Sequence, residues 1–209
     1  QVQKILDNLA SKDPLALRDR TLIMFLYNTG ARVQEVADLR LANLDFEAQP
    51  RVNLQGKGGK WRVCPLWTET ASLLKNLIDS QKVTKLDDPI FVSRQGRALT
   101  RFGIYKIVVR HTKIISLKGL NTKTRLISPH VFRHTTAVHL LESGVEPNVI
   151  RSWLGHVDLD TTYRYAEINI RAKEAALKIC EPPSVFSEAF PRKPHWRDDE
   201  NLLNWLDTL

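Results

Sequence analysis

The spacing of apolar residues changes period along the chain, and the changes outline the elements. Within the first 40 residues Leu15, Leu22, Phe25 and Leu26 recur at helical spacing and form one apolar stripe. Gly30 ends that helix, and Arg32–Leu39 starts another. The period then shortens to two. Val52 and Leu54 alternate with Asn53 and Gln55, and Trp61 and Val63 flank Arg62. Gly56-Lys57-Gly58-Gly59 lies between the two runs, so the stretch predicts a β-hairpin. Helical spacing returns over Thr68–Ser80, with Leu73, Leu74, Leu77 and Ile78 on one side. Thr100 is a plausible cap for a helix reaching about Lys113. Residues 117–127 are polar and contain Gly119, which predicts a loop. Pro129 sits at a first turn for His130–Ser143, with Gly144 as the stop, and Pro147 starts Asn148–Leu154, stopped by Gly155. Asp158–Glu167 and Arg171–Cys180 also read as helices. Pro182-Pro183 marks a linker, and Leu202, Leu203, Trp205 and Leu206 make a short amphipathic face in the tail. The fold class predicted is mainly α with a small antiparallel β-sheet, α+β.

The chain has 209 residues, 43% of them hydrophobic and 26% charged. That composition excludes wholesale disorder and allows a substantial core. The longest apolar run, Leu22–Tyr27, is far shorter than the roughly 20 residues of a membrane span, so no membrane association is expected. Two cysteines, Cys64 and Cys180, are too few and too far apart for a zinc site or a disulfide scaffold, and they fit a reducing cytoplasm. The first residue is Gln1, which suggests a fragment of a longer protein. The net charge is +8. From Pro89 to Leu141 there is no Asp or Glu, but there are ten Lys and Arg, the last of them Arg133. Such a stretch repels itself unless an anion lies against it, which points to nucleic acid over the plainer reading of a solvated basic face.

Five features carry candidate chemistry: Arg32 after Gly30, Lys57 in the hairpin turn, His130 and Arg133 opening a helix, His156 after Gly155, and Tyr165. Each has a plain structural reading. Arg32 could simply pair with Glu35 at i,i+3. Lys57 could be a soluble turn residue, the His130–Arg133 pair a surface coincidence, and Tyr165 a core aromatic. Together they suit a phosphodiester. A phosphorus passing through five-coordination gains charge on its non-bridging oxygens, and planar, permanently charged Arg can clamp them. Two arginines and two histidines surround the group without a metal. A Tyr hydroxyl becomes a competent nucleophile once its phenolate is stabilised, and a Lys can protonate a departing alkoxide. His130 and His134 have the i,i+4 spacing of a zinc-protease helix, but Val131 stands where that pattern needs Glu. Gly56-Lys57-Gly58-Gly59-Lys60 lacks the spacing of a nucleotide-binding loop. No metal, no cofactor and no small-molecule substrate are therefore expected.

The order and content of these motifs resemble the catalytic domain of the tyrosine recombinases, the phage-integrase family. The matching stretches are Thr29–Glu35, Gly56–Lys60, His130–Thr135, Leu154-Gly155-His156 and Thr161–Tyr165. The resemblance implies that Arg32, His130, Arg133 and His156 bind the scissile phosphate. It implies Lys57 as general acid and Tyr165 as the nucleophile that forms a 3′-phosphotyrosine. Tyr163 and Lys60 are neighbouring decoys. It further implies double-stranded DNA as partner and a synaptic oligomer, a tetramer, on DNA. The expected organisation is a catalytic domain over 1–180 and a tail over 181–209 with a short amphipathic helix, which either exchanges between protomers or packs onto its own core. The separate N-terminal DNA-clamping domain of the family is missing from this sequence, and the tail is unusually long and acidic. The rival readings are a type IB topoisomerase, which relaxes supercoils by the same chemistry, and a non-catalytic DNA-binding accessory protein.

Overall fold

The structure is a computed structural model that describes residues 14–116 and 127–155. Among these, helix α1 (Pro14–Thr29) is followed by a short α2 (Val33–Ala37). A 3-10 turn, Leu41–Asn43, leads into strands β1 (Leu44–Asp45), β2 (Arg51–Gln55) and β3 (Trp61–Pro65), with a second 3-10 turn, Lys57–Gly59, between β2 and β3. Helices α3 (Thr68–Gln81), α4 (Arg101–Ser116), α5 (Pro129–Glu142) and α6 (Pro147–Leu154) complete the order. The three strands form one antiparallel sheet in the order β1-β2-β3, so the fold is mainly helical with a small sheet, as the patterning predicts. The two-residue β1 was not legible as a strand.

α1 is the centre of the packing, set against α3 on one side and α5 on another. Residues Thr21 to Leu26 are all buried in succession, so the helix is covered nearly all round and is not the one-striped helix its spacing suggests. A helix enclosed by neighbours loses the polar face that amphipathic patterning relies on. Phe25 meets Phe91 edge to face, with ring centroids 6.0 Å apart. Phe91 comes from the irregular stretch after α3, which is pinned by isolated bridges between Arg40 and Pro89 and between Val92 and Ala98. A smaller cluster of Ala137, Ile150 and Leu154 joins α5 to α6.

The element ends follow local chemistry. Gly30 stops α1 with φ +58°, and its amide donates to Leu26 O at 2.9 Å. A side chain there is strained by the positive φ, and its Cβ would press on the Leu154 side chain. Thr100 Oγ1 accepts from the Gly103 amide at 3.2 Å and caps α4. Pro129 and Pro147 occupy the first turns of α5 and α6. The second helix is shorter than expected, five residues instead of the span to Leu39. The predicted loop over 117–126, the helices at 158–167 and 171–180, the linker and the tail lie outside the described residues.

The hairpin corrects one reading. Trp61 and Val63 are the exposed side of β3, 59% and 57% accessible, while Arg62 and Cys64 face inward. The register explains it. Leu54 pairs with Arg62 and Val52 with Cys64, so these four share the face that the rest of the domain covers.

Candidate active site

Arg32 is the N-cap residue of α2 and keeps extended backbone, φ −71° and ψ 149°. Its amide donates to Glu35 Oε2 at 2.8 Å, and its Nη1 donates to Glu35 Oε1 at 3.1 Å. The plain i,i+3 ion pair thus exists, yet the Arg32 side chain remains 35% exposed and lines a pocket. Its Nη2 donates to Gly155 O at 3.1 Å. Arg133 is buried on α5, where its Nη1 donates to Gly30 O and its Nη2 to Leu154 O, both at 2.6 Å. These bonds fix the guanidinium plane at the junction of three helix ends. His130, one turn earlier on α5, is exposed at the pocket rim.

The pocket, about 540 Å³, brings together Arg32, His130 and Arg133, three of the six predicted residues, with the α4 residues Arg101, Phe102 and Tyr105 on its other wall. Lys57 is not among its lining residues. It is exposed at the hairpin tip, in a turn closed by Gly56 N–H donating to Lys60 O at 2.8 Å. Gly58 and Gly59 hold φ +76° and +75° there, a conformation that suits glycine. His156, Tyr163 and Tyr165 lie outside the described residues.

Two residues that build this site were not recognised as such from sequence. Glu35 is 5% exposed and its two oxygens accept four bonds, two from Arg32 and two from Arg62. Burial alone would push its carboxyl pKa up. The Arg62 hydrogen bonds and charge, with the Arg32 amide, outweigh that and hold it below its ordinary value. Arg62 in turn has its pKa held above the ordinary arginine value: burial opposes its charge, and the Glu35 carboxylate more than compensates. The alternation carried no signal for Arg62, because only the register, which sets it on the covered face with Leu54, shows that its charge needs a buried partner. Cys64, beside it, donates to Trp153 O at 3.3 Å, and burial pushes its thiol up to about 11, so it stays neutral.

The carboxyl end of α6 organises the arginines. Trp153 O, Leu154 O and Gly155 O each accept from a different guanidinium: Arg62 at 2.9 Å, Arg133 at 2.6 Å and Arg32 at 3.1 Å. Carbonyls at a helix end lack intrahelical donors and carry partial negative charge, so they are a natural seat for cations. The arrangement holds two arginines and a histidine at one pocket, a set of donors suited to an anionic oxygen group.

The phage integrase family model matches residues 1–171. The chain belongs to the phage integrase family. Within that family it is 34% identical over 172 residues to the tyrosine recombinase XerD of Vibrio vulnificus, covering 80% of this chain and 54% of that protein. It is 30% identical over 170 residues to XerC of Pelobacter propionicus, covering 81% of this chain and 54% of that protein. The structure superposes on the XerH site-specific recombinase bound to palindromic difH substrate in a post-cleavage complex, with TM-score 0.69 and 26% identity over 87% of this chain and 52% of that one. The chain therefore spans about half the length of the relatives it matches.

Proposed function

We propose that this chain supplies the catalytic domain, residues 1–180, of a site-specific DNA recombinase that cuts and rejoins double-stranded DNA through a 3′-phosphotyrosine. The observation that carries the reading is the convergence of Arg32, His130 and Arg133 on one pocket. Family membership and the tyrosine recombinases among its relatives support it. Arg32 and Arg133 offset the charge that develops on the non-bridging oxygens, and His130 and His156 donate to the same group. The Tyr165 hydroxyl passes its proton to water as its oxygen attacks phosphorus. The new bond is O(Tyr)–P and the broken one is P–O5′. Lys57 protonates the departing 5′-oxygen. The phosphotyrosine retains the bond energy, so rejoining is the reverse attack by a 5′-hydroxyl and needs no ATP. The shell of cations takes the part that a metal plays in other nucleases. Several protomers act on two duplexes, with the tail over 181–209 passing between neighbours.

A DNA suicide substrate tests the reading, because loss of the cleaved fragment traps the covalent adduct. The wild-type protein cleaves and forms the adduct with excess EDTA present throughout, and loss of cleavage there overturns the metal-free mechanism. Tyr165→Phe binds DNA and forms none, and Tyr163→Phe still forms it. An adduct that survives Tyr165→Phe overturns the assignment.

A further inference from the structure

Arg62 is the buried cation at the centre of the hydrogen bonds behind the pocket, yet it is not among the pocket's lining residues. Its side chain is 8% exposed on the inner face of β3. Nη1 and Nη2 donate to the two Glu35 oxygens at 2.8 and 2.6 Å, and Nε donates to Trp153 O at 2.9 Å. It therefore joins three separate elements: the hairpin that carries Lys57, the Glu35 carboxylate on α2 that carries Arg32, and the end of α6. With the Arg32 bonds counted, each Glu35 oxygen accepts two hydrogen bonds, so its four lone-pair sites are filled. Gly155 is also packed on Arg62, since a Cβ there would lie 3.1 Å from Arg62 Cδ.

We propose that Arg62 is a positioning residue of the active site, which by gripping Glu35 and the Trp153 carbonyl at once fixes the spacing between Arg32 and Arg133. The inference rests on the reading that these two arginines bind the scissile phosphate. The coupling between the two arginines runs through the carboxyl end of α6. Arg32 and Arg133 each hold one carbonyl of the same helix end, on consecutive residues 155 and 154. Their separation is set by that helix end and by the mount of Arg32 on Glu35. Arg62 is the side chain that locks both. Stability alone does not require a buried arginine here, because buried ion pairs are often replaced by apolar groups at little cost. The geometry needs a planar fork with donors in three directions, which a lysine ammonium on a flexible stem does not reproduce.

The test uses the full-length protein that carries this chain, with Arg62→Lys and Arg62→Met, on the suicide substrate at saturating DNA. The readouts are single-turnover cleavage rate, DNA Kd and Tm. A displacement of about 1 Å in a catalytic group costs about 100-fold in rate, so Arg62→Lys is expected to lose about that much cleavage while its Kd stays near the wild-type value. The loss should disappear when Arg32→Lys is already present, because Arg62 acts through Arg32. Three results overturn the proposal. One is a saturating rate that is unchanged in the folded fraction of Arg62→Lys. Another is a defect confined to Kd or of equal size in both Arg32 backgrounds. The third is failure of both variants to fold, which makes the role structural. A wild-type protein that forms no adduct overturns the phosphodiester reading beneath the proposal, whereas a cleaving wild type with an unimpaired Arg62→Lys overturns only the positioning role.

Discussion

Glu35 carries more of the site than its modest place in the sequence suggests. It is the counter-charge for Arg62, the anchor of Arg32 and the N3 partner in the cap of α2. Replacing it with Gln leaves Arg62 buried beside a neutral amide, one of whose groups repels the guanidinium donors. Breaking a buried pair in this way costs about 3–5 kcal/mol. For a domain of this size that lowers Tm by roughly 10 °C, measurable by thermal unfolding. The same residue makes stability pH-dependent. Its folded pKa lies below the ordinary 4.5, and that of Asp19 lies below 3.8, where burial is outweighed by bonds from His111 and Arg18. The unfolded chain therefore takes up protons at higher pH than the folded one. The stabilisation is complete above the ordinary carboxylate values and is lost as pH falls through the lower folded values. Urea midpoints should be flat from neutrality to about pH 5 and fall steeply below about pH 4. Glu35→Gln should remove part of that fall.

Among elements, the hairpin shows how placement constrains role. Its base is tied down, because a Cβ on Gly56 would lie 3.5 Å from Glu35 Oε1 and Arg62 grips Glu35 from β3. Its tip, with Lys57 between glycines, projects outside the pocket lining. On the proposed function, a lysine outside the phosphate pocket suits a group serving the leaving oxygen rather than the non-bridging oxygens. Lys57→Ala should slow cleavage of ordinary DNA by a factor of about 100 to 10,000. DNA with a bridging 5′-sulfur should be cleaved at nearly the wild-type rate, since a thiolate departs without a proton. Equal losses on both substrates would reassign Lys57 to phosphate binding. α5 and α6 work as a pair: α5 supplies His130 and Arg133, while α6 supplies carbonyls that aim the arginines.

At the scale of the whole molecule, the net charge of +8 already counts every acid, but the basic stretch from Pro89 to Leu141 is partly answered within the fold. Arg110 and His111 of α4 meet the buried Asp19 of α1 at 2.6 and 2.8 Å, so the acid-free stretch is not wholly left for a ligand. Arg101 and Lys106 belong to the exposed face of α4, Arg101 on the pocket wall and Lys106 over the Phe102 ring at 4.5 Å. DNA affinity should fall linearly on a log–log plot against salt, and Arg101→Ala should reduce the slope by about 0.9, the share of one neutralised phosphate. An unchanged slope would place Arg101 off the DNA. The sequence by itself determined most of the described elements and nominated the candidate reacting groups, because helix stops, a glycine-rich turn and the period of apolar residues are local signals. The Gly30, Gly144 and Gly155 stops and the Thr100 cap stand where the chain announced them. It also carried the motif order that names the family. Tertiary structure alone decided which face of β3 is buried, because burial is set by what packs on the sheet. It decided that α1 is enclosed, which no single-helix pattern can encode. It also decided that Arg62, 27 residues from Glu35, and the carbonyls of Trp153, Leu154 and Gly155 at the end of α6, about 120 residues from Arg32, meet behind one pocket. Such contacts join residues with no local relation in sequence, and only the packing of α1, α2, β3, α5 and α6 brings their charges within hydrogen-bonding distance.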